Sequence, residues 1–270
     1  MLAAVDQILP RPVAYLTGLL LLAGIAAMFW AAFRPPPGEE ILPEATPLVV
    51  VDAGHGGIDG GTTIYGVLEK EIVLDIALKV ENALLARGVK VVMTRRSDVG
   101  LSLAERAAIA RKHPGALFVS LHVNRFQSPR VRGAEAYYTN PIVPVSLRLE
   151  PGDKARPYRD ERSKQLAERI LAEIEQRAGI PVRGARPSQM YVTKEIPAPS
   201  VLIECGYLSN PHDARMLSRA EDRKNLADAI ATACDRYLRD ARENRLLGCL
   251  PWSGPVTAED PVVVGPEQEP

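Results

Sequence analysis

The chain's 270 residues suffice for one catalytic domain with appendages and leave two full-size domains cramped. A composition that is 46% hydrophobic and 24% charged excludes disorder along the whole length. Thirty-three basic residues balance thirty-three acidic ones, which argues against a nucleic-acid binder that works by phosphate neutralisation. Three cysteines (Cys205, Cys234 and Cys249) cannot all pair and lack metal-knuckle spacing, so a disulfide scaffold is excluded.

After a short segment at residues 1–12, Val13 to Phe33 runs for twenty-one residues without a charge. At about 1.5 Å per helical residue it spans the roughly 30 Å hydrocarbon layer of a bilayer. Arg11 and Arg34 bracket it, and Tyr15, Phe29 and Trp30 lie towards its ends, where interfacial aromatics sit. A buried core helix would carry polar positions along one face, and this stretch has only Thr17. It is long for the apolar region of a signal peptide, and no clean A-x-A site follows, so an uncleaved anchor is expected. One arginine on each side codes its orientation only weakly.

Residues 34–46, RPPPGEEILPEAT, read as a Pro/Glu-rich linker. A globular region of 47–239 follows, and 240–270, rich in proline among acidic residues, reads as a mostly disordered tail. Within the globular region, strands are expected at Leu48–Asp52, Val89–Thr94, Ala116–His122, Gly133–Thr139 and Ser200–Glu204. Helices are expected at Glu71–Arg87, from the capping box Ser102 to Glu105 onward, at Ser163–Ala178 and at Arg223–Arg239. Alternation of this kind predicts a single α/β domain, its mostly parallel twisted sheet covered by helices on both faces. Asn140–Glu161, with four prolines and several basic residues, reads as a long loop without helical period, placed to hold substrate carboxylates or else a tolerated insertion.

Ligands of an open α/β sheet bind beyond the carboxyl ends of its strands. Three strands end there in residues foreign to a core: Leu48–Asp52 runs into Ala53-Gly54-His55-Gly56-Gly57, another strand into His122-Val123-Asn124, and a third into Glu204-Cys205-Gly206. Of four histidines, the parallel sheet would bring His55 and His122 together, as imidazole ligands of one metal. A catalytic zinc site needs a third protein ligand and an open position. Glu69, on the segment returning from the glycine loop, is the best candidate; Glu71 and Asp52 compete, and Asp52 could instead orient an imidazole. Glu204, after four apolar residues, reads as a general base for metal-activated water that then protonates the departing amine. Cys205 reads as a buried thiol and not a nucleophile, and His113 and His212 as surface positions.

VVVDAGHGGIDGG, LEKEI, VVMTR, LSLAERAAIA, FVSLHVN and VLIECGYLSNPHD stand in the order seen in the zinc-dependent N-acetylmuramoyl-L-alanine amidases of the amidase type 3 family, which residues 48–238 resemble. The resemblance implies zinc (Zn2+) on His55, Glu69 and His122, choosing Glu69 over Glu71, with Glu204 catalytic and Asn124 a substrate contact. Ala53 where proline is frequent, Val123 and Arg125 where alanines are common, and Cys205 depart from the pattern without removing a ligand. A single anchor followed directly by the catalytic domain is similar to the spore-cortex subgroup.

The resemblance implies a peptidoglycan hydrolase that cleaves the amide between N-acetylmuramic acid and the L-alanine of the stem peptide. With the apolar anchor, the domain is expected to face the wall from the cell membrane, since peptidoglycan strands are absent from the cytoplasm. The balanced charge leaves no nucleic-acid partner expected, and the sequence names no activating protein. The alternatives are a zinc carboxypeptidase or endopeptidase on wall peptides, which would need a cation such as Arg95, Arg132 or Lys194 for a substrate carboxylate, and a non-catalytic wall-binding module, which would tolerate loss of Glu204.

Overall fold

The apolar run Leu48–Ala53 forms strand β1, buried from Val49 onward, as expected of a strand covered on both faces. A computed structural model describes residues 47–64, 66–139, 156–196 and 198–246; the expected anchor Val13–Phe33, the linker 34–46 and residues 247–270 of the expected tail lie outside these, while the start of that tail, 240–246, continues the last helix. The described residues belong to one compact unit that begins at Thr46, and among them no helix is long and apolar enough to cross a membrane.

After β1 comes a two-residue hairpin, β2 (Thr63–Ile64) and β3 (Val67–Leu68), which leads directly into helix α1 (Glu69–Leu85). Strand β4 (Lys90–Met93), helix α2 (Leu103–Arg111), β5 (Leu117–Asn124) and β6 (Ala134–Thr139) follow. Helix α3 (Arg156–Glu173) continues as a π-helical turn, Ile174–Ala178, closed by Gly179 at a φ of 65°. Then come β7 (Val182–Ser188), the single-turn α4 (Tyr191–Lys194), β8 (Ser200–Tyr207), α5 (Pro211–Ser218) and α6 (Ala220–Leu246).

The main sheet has the order β4-β1-β5-β8-β6-β7. Four of its five pairings are parallel, and β6 runs antiparallel to β8, so the mostly parallel sheet stands with one reversal. The edge strand β7 was not expected, since arginines, Gly184 and Pro187 mask it; proline is tolerated at a sheet edge. The part of Asn140–Glu161 from Arg156 onward is helical, which corrects the reading of that segment as loop throughout. Pro157 fits the first helical turn, where its missing N–H has no partner to lose.

Alternation along β5 sends Leu117, Val119, Leu121 and Val123 into the larger apolar core, with Val73, Ile76 and Val80 of α1, Leu166 and Ile170 of α3, and Leu226 and Ile230 of α6. Phe118 turns to the other face and joins Leu202, Ala107 and Ala110 of α2 and Val192 of α4. Helices therefore cover both faces, three long ones against two short. The short pair matters most, because His122, Asn124 and Glu204 continue the strands on that thinly covered face and belong to neither apolar cluster. The capping box of α2 forms as read: Ser102 accepts from the Glu105 N–H, and the Glu105 carboxylate accepts from the Ser102 N–H. Caps of this kind contribute about 1 kcal/mol.

Candidate active site

His55 enters the site from the loop after β1 with a φ of 56°, the only positive value at a non-glycine residue among those described. Its Nδ1 is 2.8 Å from Asp59 Oδ2, and its Nε2 is turned to Glu69 Oε1 at 3.1 Å. Glu69 is the first residue of α1; its own N–H donates to the Thr62 carbonyl and that of Lys70 to Gly60, so the glycine loop caps this helix. His122, on β5, brings Nδ1 to 3.0 Å from the same Glu69 oxygen. The rings of His55 and His122 meet edge to face, 4.8 Å apart.

Space for this arrangement comes from glycine. A Cβ on Gly54 would lie 2.3 Å from the His122 ring, and one on Gly61 would lie 2.6 Å from Glu69 Oε2 and 2.7 Å from the His55 ring. The carboxylate is fully engaged, since Thr62 N donates to Oε2 at 2.8 Å and Val123 N to Oε1 at 3.0 Å. Burial alone would raise the Glu69 pKa, but the two imidazoles and the Val123 N–H hold it well below the usual carboxylate range. Burial likewise opposes protonation of His55, and Glu69 and Asp59 outweigh it, lifting that imidazole to about 9.

Donor atoms of His55, Glu69 and His122 lie within 4.8 Å of one another. Two ligands of a tetrahedral zinc ion are about 3.3 Å apart. The 3.0 and 3.1 Å separations here are close to that spacing, and Asp59 on the far nitrogen of His55 is the outer partner that fixes a ligating ring. Two imidazoles and one carboxylate, partly open to solvent, fit a catalytic zinc ion.

Glu204 sits on β8 directly beside His122 in the register of β5 and β8. Its Oε2 is buried and has no hydrogen-bond partner among the described residues. Burial first, then the negative charges of Glu69 and Glu135, push its carboxyl up to about 8. Asn124 lies farther along β5, its Nδ2 3.2 Å from Glu135 Oε1.

The other candidates lie elsewhere. Glu71 is exposed on α1 and outside the donor cluster. Asp52 neither ligates nor touches an imidazole: it is fully buried and accepts from Thr94 Oγ1, Ser120 Oγ and Arg106 Nη1, each at 2.7 Å. Arg95 is no exposed cation for a substrate, because its guanidinium is buried on the carbonyls of Ala53, Gly54, Ser97 and Lys70. Arg132 and Lys194 are exposed, as is His212, while His113 is partly buried. Cys205 is fully buried, and burial pushes its thiol far above the usual range, which removes it as a nucleophile.

Sequence reasoning missed the supports of the glycine loop. Arg106 donates to the carbonyls of Ala53 and His55, and Lys70 clamps Gly57 O and Asp98, each at 2.7 Å. It also missed Asp59 and Glu135, although a glutamate in the strand sequence AEAYYT was as anomalous as Glu204 in SVLIE.

Known proteins are similar to this chain in sequence or in structure. LytC of Bacillus subtilis (strain 168), an N-acetylmuramoyl-L-alanine amidase, is 34% identical over 191 residues, which is 71% of this chain and 35% of LytC, so the chain spans about a third of that relative's length. The catalytic domain of CwlV, an N-acetylmuramoyl-L-alanine amidase from Bacillus (Paenibacillus) polymyxa var. colistinus, superposes with a TM-score of 0.62 at 32% identity, covering 72% of this chain and 99% of that one. The CwlD amidase of Clostridioides difficile, solved in complex with the GerS lipoprotein, gives 0.63 at 28% identity over 72% of this chain and all of that one (100%). Residues 49–236 match the family described as N-acetylmuramoyl-L-alanine amidase, and the chain belongs to that family.

Proposed function

We propose that this protein is a membrane-tethered peptidoglycan hydrolase that cleaves the amide between the lactyl group of N-acetylmuramic acid and the L-alanine of the stem peptide. The observation that carries the reading is the buried Oε2 of Glu204, without a hydrogen-bond partner among the described residues, on the strand beside His122 and its two companion donors. A buried carboxylate oxygen without a partner is costly and points to a group that acts on something brought to it.

His55, Glu69 and His122 would hold zinc, which supplies Lewis-acid polarisation of the scissile carbonyl and acidifies water. Asp59 holds the His55 ring with Nε2 turned towards the Glu69 carboxylate, and the N–H groups of Thr62 and Val123 fix that carboxylate. Glu204 takes a proton from the attacking water and hands it to the departing amine nitrogen. A carboxyl poised at about 8 can do both near neutral pH, and a cation beside it favours the ionised form that starts the cycle. The short helices α2 and α4 leave this face thinly covered, which suits a bulky glycan–peptide.

The layout of an apolar segment at Val13–Phe33, a linker at 34–46 and the catalytic region supports a single-pass anchor with the domain facing the wall, and supports the spore-cortex subgroup. Likeness to the CwlD amidase, solved with a lipoprotein, supports a protein partner for this chain as well. Digestion of purified peptidoglycan followed by mass spectrometry tests the reaction. Free stem peptides that begin at L-alanine are expected; peptides shortened at their carboxyl ends would contradict it.

A further inference from the structure

Glu135 is 2% exposed, a carboxylate inside β6 that the amidase reaction as described does not use. Across the antiparallel β6–β8 pair it stands directly opposite Glu204, so both side chains project from one face of the sheet. Two bulges widen that face. Between His122 and Asn124 of β5, strand β8 advances three residues, so that His122 faces Glu204 and Asn124 faces Tyr207. Between Ala134 and Ala136 of β6, strand β7 advances from Val182 to Ala185. Each bulge contains a glycine at positive φ, Gly206 at 149° and Gly184 at 95°.

Bulges change the spacing of same-face residues from two to three, which explains Glu204 with Tyr207 and Arg183 with Arg186. Their contacts converge on Glu135. Its Oε1 accepts from Asn124 Nδ2 at 3.2 Å, from the Tyr137 hydroxyl at 2.9 Å and from the Tyr207 hydroxyl. Its Oε2 faces Arg183 Nε at 3.5 Å and Arg186 Nε at 3.4 Å, and the Arg183 guanidinium lies 5.5 Å over the Tyr207 ring.

One arginine would neutralise Glu135; two leave a surplus positive charge. The arginine side chains are 33% and 51% exposed, and among the described residues neither guanidinium has a partner beyond Glu135 and, for Arg183, the Tyr207 ring. With Nε engaged, the terminal nitrogens of each form the fork that grips a carboxylate. Glu135 is two strand steps from β5 and its His122, roughly 10 Å at 4.8 Å per step. Two extended residues reach about 7 Å, and a carboxylate carried on the second side chain covers the rest of the distance from the metal donors.

We propose that Arg183 and Arg186, aligned by Glu135, bind a carboxylate of the peptide substrate, that of the residue following the L-alanine. The proposal rests on the amidase reading. It is tested with two N-acetylmuramoyl-peptides that differ only in whether that residue bears a free carboxylate or a carboxamide, assayed on the full-length zinc-loaded protein. The wild type should favour the carboxylate about tenfold or more in kcat/KM, the scale of one charge-assisted hydrogen bond. R186Q leaves Arg183 facing Glu135; it should raise KM for the carboxylate substrate about tenfold, change kcat little and leave the carboxamide substrate unaffected. R186K keeps the charge beside Glu135 without the fork, and carries the comparison if R186Q fails to fold: an intermediate, carboxylate-specific rise in KM is expected. Equal losses on both substrates would overturn the proposal and reduce the arginines to counter-ions of Glu135. A wild type that cleaves both equally well would overturn it while the amidase reading stands; one that cleaves neither would overturn the amidase reading.

Discussion

At the scale of single residues, the site is a set of groups whose protonation the fold has arranged in advance. With no cation bound, Glu69 and Asp59 lift His55 from 6.5 to about 9, against the effect of burial. Stability gained from the raised pKa is fully present below about pH 6.5 and is lost as pH rises through about 9. At pH 7 the metal-free ring is therefore protonated and must release that proton to ligate. Calorimetric zinc titration at pH 7 in buffers of different ionisation enthalpy should show about one proton released, falling towards none near pH 10; heats independent of the buffer would contradict this. His55, His122 and Glu204 were legible because each follows an apolar run with a residue the core does not want. Asp59 was hidden in a glycine loop, where any small polar residue is ordinary, and its role depends on a backbone excursion at His55 that composition does not code. Glu135 was legible by the same logic as Glu204 and was overlooked because its strand reads as an ordinary β segment.

At the scale of elements, the glycine loop is held from below by charged residues that propensity would place on the surface. Asp52, inside β1, is joined to α2 through Arg106, whose side chain also takes the carbonyls of Ala53 and His55. Arg106→Leu strands a buried carboxylate, and breaking such a pair costs about 3–5 kcal/mol. Denaturant unfolding should register a loss of that order, accompanied by weaker zinc retention; a stable variant with normal zinc would separate the loop from this support. Farther away, Asp75 of α1 pairs with Lys79 and with Arg223 of α6. Burial would raise its pKa, but the two cations hold it below 3.8. The contribution is present above that pH and lost as pH falls through the depressed value. Asp75→Asn should thus destabilise the protein at neutral pH and converge with wild type in acid, as followed by thermal unfolding between pH 7 and 2.5; parallel curves would deny the pair a role. Elements with apolar runs or clean 3.6 periodicity were legible. The edge strand β7 was not, since its arginines serve a neighbouring carboxylate, and neither was the start of α3, where proline masks a helical first turn.

At the scale of the whole molecule, the alternation of strands and helices was legible, and so was the end of the sheet where chemistry collects. The reversal of β6 was legible too and was overlooked: the nine residues between β5 and β6 are too few for a parallel crossover. The proposed anchor makes its own prediction: the full-length protein should stay in the membrane fraction through carbonate extraction and be released by detergent. Recovery of a soluble form starting near Pro35 would contradict it. The central claim is that Glu204 moves the proton while His55, Glu69 and His122 hold the metal, and Glu204→Gln separates these roles most directly. Zinc content and turnover of purified peptidoglycan should be measured on the same preparation of that variant. The account predicts zinc near one per chain with turnover reduced roughly 10²–10⁴-fold, the range of a lost general acid–base group. A variant that loses its zinc along with its activity, or one that keeps full activity, would contradict it.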